Sequence, residues 1–310
     1  MAGYINEKIL TDFVVDYMPK EETFIADKIL TKVPVSEVSG KFIQFEKRNM
    51  KLSNDVVGYR ASSPELQTKR IPVKGSYTTE KHAHKDFITE EDAKAYMNYM
   101  DLVKETSFEL KTQLMRNKEE VVSQLVSATS NYTTSINPKW DGTNPTIMSD
   151  IQAGITKFTE NCGVSPNTLI IPRQVWDIIK FDEGVLKFWV RLTGLQAKST
   201  FSLTGLLNIA FDTITNILIP DAKYDTEPKG KTESLDYIWG DNVALLYTVP
   251  KGTKKTFTWA SRFVKQELQA IVYPNYDPDV KGDWVKVSYE EDVKEVCENA
   301  VYLLKGVLGT

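Results

Sequence analysis

The chain has 310 residues, 41% of them hydrophobic and 26% charged, which is enough apolar material for one elaborate domain or two modest ones and too much for a disordered chain. Its 38 basic and 42 acidic residues leave a net charge of −4, without the basic excess of a dedicated nucleic-acid binder. The two cysteines, Cys162 and Cys297, lie far apart and in no CxxC pair, so the sequence signals neither a disulfide framework nor a structural zinc site and fits a reducing compartment. No run approaches the roughly 18 consecutive apolar residues of a membrane span, and the first residues lack a basic region followed by an apolar one. A soluble protein made in the cytoplasm, with no membrane contact, is expected.

Residues 1–41 carry scattered apolar side chains (Ile9, Leu10, Phe13, Val14, Val15, Phe24, Ile25, Ile29, Leu30) broken by Pro19 and Pro34, which predicts an arm laid over something else. Residues 42–88 predict an extended hairpin. Within it, the stretch from Glu46 to Phe87 holds nine basic and five acidic residues, and Ile71, Val73 and Tyr77 sit at even spacing on one face of a strand. An isolated hairpin with so few apolar residues is marginal in water. Its charge of about +4 leaves about −8 on the rest of the chain, so the ribbon is expected to lean on an acidic surface of a second copy. The candidate contact residues are Lys69, Arg70, Ile71, Val73, Lys74 and Tyr77 on one side, with Glu290, Glu291, Asp292, Glu295 and Glu298 on the other.

Residues 89–150 predict a long helix capped by the Thr89 hydroxyl, with Glu90, Glu91 and Asp92 favourably placed against its dipole. Ala93, Met97, Met100, Val103, Leu110, Leu114, Val121 and Leu125 form one apolar stripe. Unbroken to Ala128, this rod would measure about 58 Å and would need cover along its length. A helix from Ile147 to Asn161 leads into a second module over residues 151–264. That module is expected to hold strands at Thr168–Ile171, Ile214–Ile219 and Val243–Val249, helices near Trp176 and Leu206, and an exposed polar loop from Lys223 to Ser234. Residues 265–310 predict returning strands, so the class is α+β.

Signals for chemistry are weak. Gly230-Lys231-Thr232 ends like a phosphate-binding loop, but Asp225 stands where the earlier glycine belongs and no apolar strand leads in. His82 and His84 share a strand face without a third ligand, and Asp277 and Asp279 flank a proline as turn makers. Cys162 has no histidine near it in sequence, and the tryptophans fall on apolar elements, as core or contact anchors do. No catalytic set, metal or cofactor is expected, and the protein is not expected to be an enzyme.

The order of these segments carries a resemblance. FIADKILTKVPV (Phe24 to Val35) with GKFIQFEK (Gly40 to Lys47) looks like an arm running into an extended loop, and YTTEKHAHKDFITEED (Tyr77 to Asp92) like that loop's exit into a spine helix. NTLIIPRQVWDIIK (Asn167 to Lys180), WGDNVALLYTVP (Trp239 to Pro250) and DWVKVSYEEDVKEVCENAVYLLKGVL (Asp283 to Leu308) complete a pattern that resembles the major capsid proteins of tailed bacteriophages, the Hong Kong 97-type fold. The resemblance implies an amino-terminal arm, an extended hairpin loop, a spine helix, a peripheral domain and an inserted axial domain. It further implies self-assembly into hexamers and pentamers of an icosahedral head around double-stranded DNA, which the wall contacts non-specifically. A separate scaffolding protein and a portal would be partners, assembly would occur in the host cytoplasm, and the final location would be the virion capsid. The rivals are an encapsulin-like nanocompartment shell that houses an enzyme cargo, and a cytosolic oligomeric enzyme.

Overall fold

The computed structural model describes residues 10–12, 14, 24–45, 57, 74–96, 101–128, 132–193, 202–227, 231–275 and 280–309. In chain order its elements are α1 (Ala26–Ile29), β1 (Thr31–Pro34), β2 (Ser39–Phe42), β3 (Gly75–Thr78), β4 (Glu80–Thr89), α2 (Glu90–Tyr96), α3 (Leu102–Ser127) and β5 (Thr133–Ser135). There follow α4 (Ile147–Cys162), β6 (Thr168–Ile170), α5 (Arg173–Ile179), α6 (Glu183–Thr193), α7 (Leu203–Ala210) and β7 (Asn216–Leu218). The chain continues through β8 (Lys223–Asp225), β9 (Leu235–Tyr237), β10 (Val243–Leu246), β11 (Ala260–Pro274) and β12 (Gly282–Glu295), and closes with a 3₁₀ turn (Glu298–Ala300) and β13 (Val301–Lys305).

Two sheets organise the molecule. One has the order β1-β11-β12-β4, built on the long antiparallel ribbon of β11 and β12, with β1 parallel to β11 on one side and β4 antiparallel to β12 on the other. The residues it buries include Phe263, Ala270, Val285 and Val287, while on β4 the exposed Lys81 and Lys85 alternate with His82 and His84, which share the face of the buried Ile88. The second sheet, β5-β13-β10-β6-β7, is covered on both faces. Its strands therefore read as continuous apolar runs, Val-Ala-Leu-Leu in β10 and Thr-Leu-Ile in β6, with every residue buried. Helix α4 packs on this sheet through Gly154, where an added Cβ would lie only 3.0 Å from Leu245 Cδ1. Strand β13 pairs with β10 and not with β11 or β12, so the second sheet joins the last strand of the chain to the module expected at 151–264.

The rod expected from Thr89 to Ala128 is divided. Thr89 does cap the first helix, accepting the Asp92 amide at 3.0 Å, but α2 ends at Tyr96. Asp101 takes an extended conformation (φ −83°, ψ 94°) and caps α3, whose 26 residues span about 39 Å. The buried face of α3 also differs from the expected stripe. Leu114 is buried, but Val121 is 56% exposed, and the inner face is Ser107, Lys111, Leu114, Glu119, Val122, Ser123 and Val126. Charged side chains inside a helix face require partners from other elements. The loop expected from Lys223 to Ser234 is framed by a short ladder in which β8 pairs with β9. Among the described residues, no helix is long and apolar enough to cross a membrane.

Candidate functional site

The partners of α3 come from the arm. In residues 24–34, Ile25, Ala26, Ile29 and Leu30 are buried, and β1 joins the edge of the first sheet. Ile25 and Ala26 are held by Glu119, a fully buried carboxylate that accepts the Ile25 amide at 3.0 Å and the Ala26 amide at 2.9 Å. Its Oε1 also accepts the Trp239 indole N–H at 2.7 Å, so one side chain joins the arm, α3 and the loop before β10. Burial pushes the Glu119 carboxyl above the ordinary glutamate value, and the three donors only partly offset this.

One residue away, Lys118 pairs with Asp27 at 2.8 Å and with Glu291 of β12 at 2.6 Å, and its ammonium lies 4.9 Å from the Tyr289 ring centroid. Arg262 of β11 reaches the same two carboxylates, at 3.0 and 3.4 Å. Burial pushes the Asp27 carboxyl upward, but Lys118 and Arg262 together outweigh it and hold the group below the ordinary aspartate value. Lys111 donates to the Val14 carbonyl at 2.6 Å, which ties a more distal part of the arm to α3. These groups line a cavity of about 440 Å³ between α3 and the first sheet. Within it Asp27 and Glu291 are engaged with Lys118 and Arg262, and Lys32 with Glu267.

The strands on either side of residues 43–74 pack on this body. Strands β2 and β3 pair so that Gly40 faces Tyr77 and Gly75 faces Phe42. Each aromatic ring fills the space above the opposite glycine: a Cβ on Gly75 would lie 2.3 Å from Phe42 Cζ, and one on Gly40 would lie 2.6 Å from the Tyr77 hydroxyl. Both rings then rest on Phe263, Phe42 at 4.9 Å between centroids and Tyr77 at 4.5 Å, and Lys254 donates to the Tyr77 hydroxyl at 2.8 Å.

These placements change the reading of the candidate contact residues. Tyr77 is 1% exposed and packs within its own chain, so it is withdrawn as an inter-subunit contact. Glu291 is 4% exposed and paired with Lys118 and Arg262, so it too is withdrawn. Glu290 accepts from Lys265 and from the Thr79 hydroxyl, both at 2.9 Å, and Asp292 accepts the Thr78 amide at 2.8 Å. Glu295 is partly buried, and burial together with Glu298 pushes its carboxyl up. Lys74 is exposed and lines a cleft with Gln44, Phe45 and Glu298. Lys69, Arg70, Ile71 and Val73 lie outside the described residues. The expectation that the whole stretch from 46 to 87 needs a second copy also fails for its last part, because β3 pairs with β2 and β4 pairs along its full length with β12.

His82 stacks on Tyr289 at 4.9 Å, and the His84 ring nitrogen lies 3.3 Å from the Asn117 amide. Among the described residues, no three His, Cys, Asp or Glu side chains converge as metal ligands. The sequence reading missed Glu119 and Lys118. Their only signal was charge at positions where the period of α3 required burial, and that signal is ambiguous until the arm is placed.

The sequence matches no protein-family model, and no curated protein matches it closely. Solved structures do resemble it over nearly its full length. A phage-related protein from Bordetella bronchiseptica is 17% identical with a TM-score of 0.72, and the alignment covers 99% of each chain. The capsid of cyanophage P-SCSP1u is 12% identical with a TM-score of 0.60, covering 93% of this chain and 89% of that one. A virus-like particle from Pyrococcus furiosus is 11% identical with a TM-score of 0.58, covering 96% of this chain and 97% of that one. An arm stapled to a long helix, a rooted hairpin and a long β-ribbon beside a second sheet thus make up one arrangement: this chain has the fold of the phage major capsid proteins.

Proposed function

We propose that this protein is the structural subunit of an icosahedral phage or prophage head, assembled from hexamers and pentamers of one polypeptide around double-stranded DNA, and that it acts by assembly and not by catalysis. The observation that carries this reading is the full-length match to a phage-related protein, with 99% of both chains aligned. The rooted hairpin supports it. Gly40, Phe42, Gly75 and Tyr77 fix the chain to the body on both sides of the segment 43–74. Its cationic residues, Lys69, Arg70 and Lys74, dock on the acidic surface of a neighbouring copy, with Ile71 and Val73 as apolar contacts. The remaining domain roles in this reading are the segment between β2 and β3 as the extended loop, residues 89–150 with the β11–β12 ribbon as the peripheral domain, and residues 151–264 together with β13 as the axial domain. A scaffolding protein and a portal are the further partners, and the virion capsid is the location.

A second reading, a nanocompartment shell around an enzyme cargo, is favoured by the likeness to the virus-like particle from Pyrococcus furiosus. Expression of the chain with and without its neighbouring genes, followed by size-exclusion chromatography and negative-stain microscopy, tests both. Closed shells or capsomers support the shell role, and DNA or a co-purified enzyme inside them decides between the two readings. A chain that stays monomeric or forms only small closed oligomers at high concentration sinks both.

A further inference from the structure

The two cysteines, remote in sequence, meet in the core. Cys162 is the last residue of α4, immediately before Gly163 in the left-handed conformation (φ 78°), and Cys297 directly precedes the 3₁₀ turn. Each is 1% exposed, both belong to one apolar cluster, and the Cys297 thiol is hydrogen-bonded with Cys162. All of residues 163–296 lie between them in sequence, so a bond between the two would close a loop of that whole length. Both cysteines are also held by other bonds. The Cys297 amide donates to the Trp259 carbonyl at 3.0 Å, the Ala300 amide donates to the Cys297 carbonyl at 3.0 Å, and α4 sits on the second sheet through Gly154.

The geometry points to a modification site: Cys162 and Cys297 are a latent intramolecular crosslink that a two-electron oxidant such as hydrogen peroxide converts to a disulfide closing the loop of residues 163–296. One thiol loses its proton and attacks a peroxide oxygen. The O–O bond breaks, giving a sulfenic acid and a hydroxide that takes up the released proton as water. The second sulfur then attacks the first, the S–S bond forms, and the sulfenic oxygen leaves as a second water with the second thiol proton. In total two thiols and one peroxide become one disulfide and two waters.

Two physical effects shape the outcome. Burial raises the cost of a thiolate, so the first step is slow and proceeds through local opening around the two cysteines. Once a sulfenic acid exists, a sulfur already in contact outcompetes the thiol of another chain in solution. A bond that closes so long a loop then restricts the unfolded chain strongly.

The test uses the full chain, purified reduced, incubated with hydrogen peroxide under native conditions, alkylated and digested without reductant. The expected result is a Cys162–Cys297 linked peptide as the main cysteine product, formed within one chain, with a melting temperature raised by on the order of 5 °C and restored by dithiothreitol. Cys162→Ser is expected to abolish the linked peptide. Links between chains, sulfinic acid at either position without the linked peptide, thiols still alkylated after unfolding, or a linked peptide without a rise in melting temperature would each overturn the proposal. None of these outcomes bears on the shell role, which is read from particle formation.

Discussion

Tyr77 lies nearly flat on Phe263, with ring centroids 4.5 Å apart and planes 9° from parallel. The stack fastens the returning leg of the hairpin to the long β-ribbon, and Gly40 leaves the space that the tyrosine occupies. Tyr77→Ala is expected to cost about 3 kcal/mol by the deletion of a fully buried ring, whereas Tyr77→Phe should cost about 1 kcal/mol because only the bond from Lys254 is lost. Urea unfolding of the two variants checks the ratio, and equal losses would contradict it.

Glycine at position 75 is a second test of the root. The ring of Phe42 sits where a side chain would grow, so Gly75→Ala forces the ring off Phe263, with an expected loss of about 1 to 3 kcal/mol. In Phe42→Ala the obstruction is gone, and adding Gly75→Ala should then cost much less than it does alone. A double-mutant cycle measures the coupling, and additive losses would rule out the steric account.

Glu119→Ala leaves the amides of Ile25 and Ala26 and the indole of Trp239 without their acceptor in a dry site. The expected loss is about 3 kcal/mol, accompanied by faster hydrogen exchange at Ile25 and Ala26. Glu119→Gln keeps an acceptor oxygen and should lose less. Unchanged exchange at both amides in Glu119→Ala would show that the carboxylate does not hold the arm.

Asp27 and Glu119 make opposite contributions to pH dependence. The folded value of Glu119 is raised above 4.5, so between 4.5 and the folded value the folded chain binds a proton that the unfolded chain does not. Stability from this group therefore falls as pH rises through that window. Asp27 is lowered from 3.8, so its contribution is present above 3.8 and is lost as pH falls through the folded value. Glu119→Gln should flatten the decline above 4.5, with Glu295 left as a residual source of the same sign, and Asp27→Asn should remove part of the loss below 3.8. Denaturation across pH 2.5 to 7 separates the two.

Lys118 lies between Asp27 and the buried Glu291. Lys118→Met should cost about 3 kcal/mol, because Glu291 keeps only the longer contact with Arg262. Adding Glu291→Leu should return part of that loss, since the stranded charge goes with it. A double variant worse than the sum of its parts would mean that the pair stabilises by packing and not by charge compensation.

Locally encoded features were legible in the sequence. The Thr89 cap and the helix from Ile147 depend on neighbours within a few residues, and the structure keeps both of them. What misled the reading was set by remote partners. Asp101 looked like one more polar position on a continuous helix, yet its side chain caps a new one. Val121 matched the apolar period but is exposed, because the arm and the sheet cover a different face, on which Lys111, Lys118 and Glu119 find partners from the arm and from β12. Tyr77 was grouped with Ile71 and Val73 by spacing alone, and only the ring of Phe263 distinguishes it. The meeting of Cys162 with Cys297 had no local signal at all, because it depends on how the second sheet brings β13 back beside β10.

The pairing of Thr31 with Ser261 and of Pro34 with Val264 also sets a schedule for synthesis. At about 5 to 20 residues per second, the arm strand emerges from the ribosome some 10 to 50 s before its partner exists. During that wait the edge of β1 lacks the strand that it pairs with in the folded chain.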